Sequence, residues 1–248
     1  MDLGIAGRKA IVCASSRGLG RACATRLAEA GCEVVVNGRD QARTESTAAE
    51  IAKATGAKVI PVAADVSTPA GQAALFAAMP EPDILVNNNA GPPFRDFREL
   101  DRDKMIAGVV GNMIVPVELL QRAIDPMIKK KFGRIVNITS GSVKMPLSGL
   151  DLSSGARAGL TAFMAGVARS VAAANVTINF LLPGTFDTDR LQSNIVANAK
   201  NLAFRSTKRR PNAWPRSRPG DSAPRTSSAL RAPSCARRRP ATLPVRIF

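Results

Sequence analysis

Between residues 8 and 182 this chain repeats one pattern: a short apolar run rich in β-branched residues, then a longer stretch of helical period. The runs are KAIVCA, EVVVNG, KVIPVAAD, DILVNN, GRIVNITS and VTINFLLP. Helical patterns over 18–30, 41–55, 69–79, roughly 98–130 and 154–174 separate them. Strands joined through helices must run parallel and be covered on both faces. The expectation is a doubly wound parallel α/β sheet of Rossmann type, one domain over residues 1–202.

From about residue 203 the pattern stops. The segment 203–248 is rich in Pro and Arg and has neither period nor apolar face, so alone it reads as an irregular tail. Residues 201–248 hold 12 Lys and Arg against the single acid Asp221, a net +11 of the chain's +16, which leaves +5 for residues 1–200. The basicity therefore belongs to the tail, and a nucleic-acid partner is not expected of the domain. No apolar run has the length of a membrane span, and an N-terminus with an acid at position 2 lacks the layout of a secretory signal. A cytoplasmic protein is expected.

Two absences limit the chemistry: the chain has no histidine and no tyrosine. Histidine triads, histidine metal sites and tyrosine acids are excluded, and any proton must move through Lys, Asp, Glu, Cys, a hydroxyl, a cofactor or water. Cys13, Cys23, Cys32 and Cys235 show no CxxC spacing and read as reduced thiols, so no metal site is expected.

The first strand runs into CASSRGLGRA, with Ala14, Ser15, Ser16, Arg17, Gly18, Leu19 and Gly20 ahead of a helix. Glycines there let the backbone approach a pyrophosphate and leave a helix N-terminus facing its charge. At the end of the second strand, NGRD (Asn37 to Asp40) has Arg39 near the place where an NAD site carries its ribose-binding acid. With Arg17 it offers guanidinium forks for a 2′-phosphate, which favours NADP(H).

Taken in order, these features resemble the short-chain dehydrogenases/reductases, most closely their 3-oxoacyl-carrier-protein reductase branch, over residues 5 to about 200. The glycine turn, Asp65 and Val66 near the family's adenine site, NNNAG (Asn88, Asn89, Ala90 and Gly91 within it), Asn112, GRIVNITS with Ser140, and PGTFDT with Pro183, Gly184 and Thr188 carry the likeness. It implies NADP(H) as cofactor, a carbonyl substrate (an acyl-carrier-protein thioester among the candidates), and a homo-oligomer.

Three departures stand out. Ala14 replaces the first glycine of the turn. NNNAG is one Asn longer than the family's NNAG, so either Asn88 or Asn89 takes the part of the motif asparagine. The third bears on chemistry. The family's catalytic tyrosine follows its serine by thirteen residues and precedes the Pro-Gly pair by thirty; counted from Ser140 and from Pro183, both land on Ser153. SSGARAGL thus stands where the family has YxxxKxG, with Ser153 and Arg157 in place of its acid and its lysine. A serine hydroxyl is a poorer acid and reaches less far than a phenol, and a guanidinium binds without relaying protons. Lys144 and Asp151 are the neighbouring groups that could supply a proton instead. The readings that follow are an NADP(H)-dependent reductase with an altered catalytic set, a catalytically impaired NADP(H)-binding protein, and a nucleic-acid binder resting on the tail alone.

One choice of codons for PATLPVRIF, read from its third base, gives GYITGQNI, similar to the family's last strand. In the same frame PNAWPRSRPGDSAP can yield ERLAAIPAGRFGT, similar to the segment before it. The expectation is a frameshift near residues 203–206 that replaces the family's C-terminus.

Overall fold

A computed structural model describes residues 2–184. In chain order these form β1 (Lys9–Val12), α1 (Gly18–Glu29), β2 (Glu33–Gly38), α2 (Gln41–Thr55), β3 (Val59–Ala63), α3 (Pro69–Ala78) and β4 (Ile84–Asn87). They continue with α4 (Arg102–Val109), α5 (Val115–Lys129), β5 (Gly133–Ile138), α6 (Asp151–Val171) and β6 (Val176–Leu181). The six strands make one sheet in the order β3-β2-β1-β4-β5-β6, every neighbouring pair parallel. The expected doubly wound sheet is therefore present.

Alternation along the strands divides the core between the two faces of the sheet. Ile11, Val35, Leu85 and Ile135 join Leu119, Met127, Leu160 and Met164 of α5 and α6 on one face. Ala10, Val12, Val34, Val36 and Val86 join Ala24, Leu27 and Ile51 of α1 and α2 on the other. Cys13 and Cys32 are buried and Cys23 half-buried, in agreement with core thiols.

Two helix boundaries differ from the sequence reading. The stretch expected as one helix over 98–130 begins with a short 3₁₀ turn, Phe97–Glu99, and contains a π-helical turn, Val110–Ile114, between α4 and α5. Pro116 has no N–H for the carbonyl four residues earlier, that of Asn112, and the wider turn is closed by Val115 N–H donating to Val110. Helix α6 starts three residues earlier than the reading from 154. Gly149, at φ +83°, makes the bend that precedes it, and Asp151 accepts the Gly149 N–H at 3.1 Å, placing an acid in the first turn. The strands also end before their apolar runs do: β1 stops at Val12 because Ala14 turns back at φ +44°. The boundary drawn at 202/203, Thr188 and the tail lie outside the described residues.

Candidate active site

Every loop with a candidate residue leaves the C-terminal edge of the sheet, and β1 lies between β2 and β4, where the strand order reverses. In such sheets the crevice at this edge is where ligands bind. The turn after β1 is tightly braced. Ala14 N–H donates to Asn37 Oδ1 at 3.0 Å, and Asn37 Nδ2 donates to the Val62 and Ala64 carbonyls. Ser15 Oγ donates to Val12 O at 2.6 Å and accepts from Asn37 N–H at 2.9 Å. Asn37 and Ser15 are thus committed to shaping the turn.

Gly20 shows why that shape needs a glycine. A Cβ there would fall onto the Ala14 carbonyl, 2.8 Å from Asn88 Nδ2 and 2.9 Å from Ser15 Cα. Asn88 Nδ2 donates to Ala14 O at 3.1 Å, tying the end of β4 to the same turn. The start of α1 differs from those of α2, α3 and α4. Asp40, Thr68 and Asp101 cap those three through side-chain oxygens, whereas Arg17, extended at φ −163°, provides no side-chain cap. The first amides of α1, from Gly18 to Gly20, are left as a donor set for an anion. Gly20 thus lets α1 pack closely on the turn, while beside Gly18 a Cβ would meet nothing within 4 Å; that open space at an uncapped helix N-terminus fits a dinucleotide pyrophosphate.

Arg39 follows β2 with an exposed side chain, loosely paired at 4.0 Å with Asp65 at the end of β3. Ser67 donates its hydroxyl to Asp65 at 2.6 Å and its amide at 2.9 Å, and these bonds, with Arg39 adding a smaller effect, hold the carboxyl below its usual range. Val66 beside it is buried. Asn89 Nδ2 donates to the Gly111 carbonyl at 3.0 Å, and its Oδ1 accepts from Ala90 N–H. The two candidate asparagines therefore divide the work: Asn88 reaches the glycine turn, and Asn89 reaches the π-helical turn, followed by Ala90 and Gly91. Asn112 lies within that turn, 4 % exposed, its Nδ2 donating to Gly108 O while its Oδ1 has no partner among the described residues.

Ser140 follows β5, half-buried, accepting from Ser142 N–H at 3.1 Å. Gly141 N–H donates to Pro183 O at 2.8 Å, so the Ser140 turn and the Pro183–Gly184 segment after β6 lie together. Ser153 and Arg157 occupy successive turns of α6, both buried. Arg157 Nε donates to Ser153 Oγ at 3.3 Å, and an Nη donates to the carbonyl of Ile138, the last residue of β5, at 2.9 Å. Lys144 is exposed at the end of the turn Gly141–Val143, without the low-dielectric setting that a desolvated acid needs. Asp151 is likewise exposed.

The family model described as short chain dehydrogenase matches residues 8–198. The chain belongs to that family. It is 30% identical over 213 residues to the uncharacterized oxidoreductase YvaG of Bacillus subtilis, covering 85% of this chain and 81% of that protein. It is 31% identical over 197 residues to the 3-oxoacyl-(acyl-carrier-protein) reductase FabG of Aquifex aeolicus, covering 76% and 78%. The crystal structure of L-sorbose reductase from Gluconobacter frateurii, complexed with NADPH and L-sorbose, superposes with a TM-score of 0.74 at 27% identity, covering 82% of this chain and 78% of that one.

This short chain dehydrogenase also has a cleft of about 200 Å³ beside the π-helical turn. Asn112 lines it with Leu152, Pro92, Leu100, Arg95 and Lys104, the last five absent from the sequence-based site. The segment 92–104 has no motif to betray it; only the packing of α4 on α6, where a Cβ on Gly108 would strike Leu152, brings it there. Asn87 also escaped notice: its Nδ2 donates to Asn137 Oδ1 at 2.9 Å across β4 and β5. The signal available for it was the occurrence of Asn at matching positions in LVN and IVN.

Proposed function

We propose that this chain is an NADP(H)-dependent oxidoreductase acting on a carbonyl or alcohol group, a 3-oxoacyl thioester or a similar ketone, with Ser153 and Arg157 in the places of the family's tyrosine and lysine. The observation that carries the reading is the uncapped N-terminus of α1, open beside Gly18 and packed onto the β1 turn through Gly20, with Arg39 at the end of β2 and no acid in its place. The first amides of α1 would hold the pyrophosphate, Arg39 and Arg17 the 2′-phosphate, and Asp65 with Val66 the adenine side. Asn88 to Gly91, Pro183, Gly184 and Thr188 complete the cofactor side by resemblance. The NADPH-bound sorbose reductase and the FabG relative support the same reading. Bound NADPH supplies hydride.

The chain's own residues must then manage the proton. Ser153 Oγ accepts from Arg157, which leaves its O–H as the donor toward a nascent alkoxide. Arg157 adds a fixed positive charge and no transferable proton. Its bonds to Ile138 and Ser153 also favour a second reading, a protein that binds NADP(H) and turns over little, because they make the pair a clasp between β5 and α6. General acid assistance contributes on the order of 10²- to 10⁴-fold, and a shortfall of that size in ketone reduction is expected.

The test is to titrate NADPH and NADH against the wild type and Arg39→Ala, and to assay a β-keto ester with wild type and the double variant Ser153→Tyr/Arg157→Lys. NADPH preference lost in Arg39→Ala and turnover raised in the double variant are the expected results. Equal affinities, or a double variant no faster than wild type, would overturn the assignment of these positions.

The family's assembly suggests a homo-oligomer, and the exposed Met105 and Ile106 of α4 and Phe163 of α6 support it. For the tail, the shifted-frame likeness to family sequence supports a frameshift near residues 203–206; resequencing the gene there decides it.

A further inference from the structure

The cleft beside Asn112 has a charge that the reaction itself does not require. Two cationic residues line it, Arg95 and Lys104, and no acid does; its remaining wall is largely apolar, with Pro92, Leu100, Ala107 and Leu152. Lys104 is already paired with Asp101, the N-cap of α4. Arg95 is different. Its backbone N–H donates to Gly149 O, but its half-buried guanidinium has no hydrogen bond or ion pair among the described residues. Asp101 is the acid whose field it shares, and Lys104 has first claim on that carboxylate. Arg95 is thus left with only a longer-range share of Asp101, in half-buried surroundings where a charge-assisted partner is favoured.

We infer that the cleft takes a small carbonyl compound bearing a carboxylate, an oxo acid, with Arg95 as the residue that selects the acid. The apolar wall holds the carbon body, and Arg95 forms a forked pair with the carboxylate, supported at longer range by Lys104. A cleft of about 200 Å³ accommodates a compact acid. This deepens the proposed oxidoreductase reading by naming the substrate class, and it makes Arg95 a specificity residue outside the Ser140, Ser153 and Arg157 set.

The experiment measures binding, not turnover. Acetoacetate and methyl acetoacetate are titrated calorimetrically into the full chain, with and without saturating NADP⁺, for the wild type, Arg95→Gln and Lys104→Gln. The acid is expected to bind on the order of ten-fold more tightly than the ester. Arg95→Gln should abolish that preference and leave the NADP⁺ affinity unchanged, and Lys104→Gln should reduce the preference only in part. Acid and ester binding alike in both cofactor states, or a preference that survives Arg95→Gln, would overturn the inference. Failure of NADP⁺ to bind would instead remove the reading of the preceding subsection, while the cofactor-free comparison still decides this one.

Discussion

Replacing Arg157 by alanine separates the two things that its guanidinium can do. The side chain is 8 % exposed and donates to the Ile138 carbonyl at 2.9 Å and to Ser153 Oγ at 3.3 Å. The first is a well-formed bond from a charged group, worth about 1.5–3 kcal/mol; the second is longer and contributes roughly 0.5–1 kcal/mol. Truncation also empties the volume of the buried side chain beyond Cβ between β5 and α6, on the order of another 1 kcal/mol. Together these give a loss of about 3–5 kcal/mol, a large part of the stability of an ordinary domain. Urea unfolding followed by circular dichroism measures it as a lowered midpoint at unchanged slope. NADPH affinity of the variant is measured in the same preparation, well below the unfolding transition. A clasp predicts lost stability with NADPH affinity changed by less than about ten-fold, whereas a cofactor-holding residue predicts the reverse. Stability within about 0.5 kcal/mol of wild type would refute the clasp.

Gly20→Ala should lower stability by about 2–4 kcal/mol and weaken NADPH binding, since the new methyl would displace either the Ala14 carbonyl or Asn88; a thermal melt and a cofactor titration check both. Burial pushes the Cys13 thiol up from 9.0 to about 12, against a smaller opposing effect of its bond with the Asn88 backbone. A thiol that ionises in the unfolded chain first makes stability fall as pH rises from about 9 toward about 12; below 9 its contribution is fully present. Unfolding free energies measured across that range should lose part of their slope in Cys13→Ala, and an unchanged slope would remove Cys13 as the source.

How much of this was legible in the sequence depended on whether an interaction repeats along the chain or is made once in space. The parallel sheet was legible because its inner strands β1, β2 and β4 are buried on both faces, so KAIV, EVVV and ILVN need no distant partner to declare themselves. Gly20 was legible for a similar reason, as a residue type demanded by a local turn. The break in the long helix was not. Its periodicity continues through Val110–Ile114, and only the missing N–H of Pro116 marks the place where the turn must widen. The cleft was illegible for a stronger reason. Arg95 and Lys104 look like any surface cations until Gly108 admits Leu152 and α4 closes on α6.

If Ser153 and Arg157 stand where the family has its tyrosine and lysine, as proposed, they show what a fold can lose and keep. A tyrosine and lysine one helical turn apart carry chemistry, but the same positions also join α6 to the end of β5. Ser153 and Arg157 retain the spacing of four residues and a side-chain bond between them, and Arg157 reaches back to Ile138. The first amides of α1, the braced turn at Ala14 and Asn37, and the divided Asn88 and Asn89 depend on none of this. Ala14 marks the limit of that tolerance: at φ +44° it takes a backbone conformation that costs a non-glycine residue about 1–2 kcal/mol, and the turn is held there by the Asn37 side chain. In the function proposed above, cofactor binding would rest on backbone amides fixed by buried polar side chains, and proton transfer on one side chain's acidity. On the proposed reading, substitutions at 153 and 157 would weaken the second while leaving the backbone that serves the first in place.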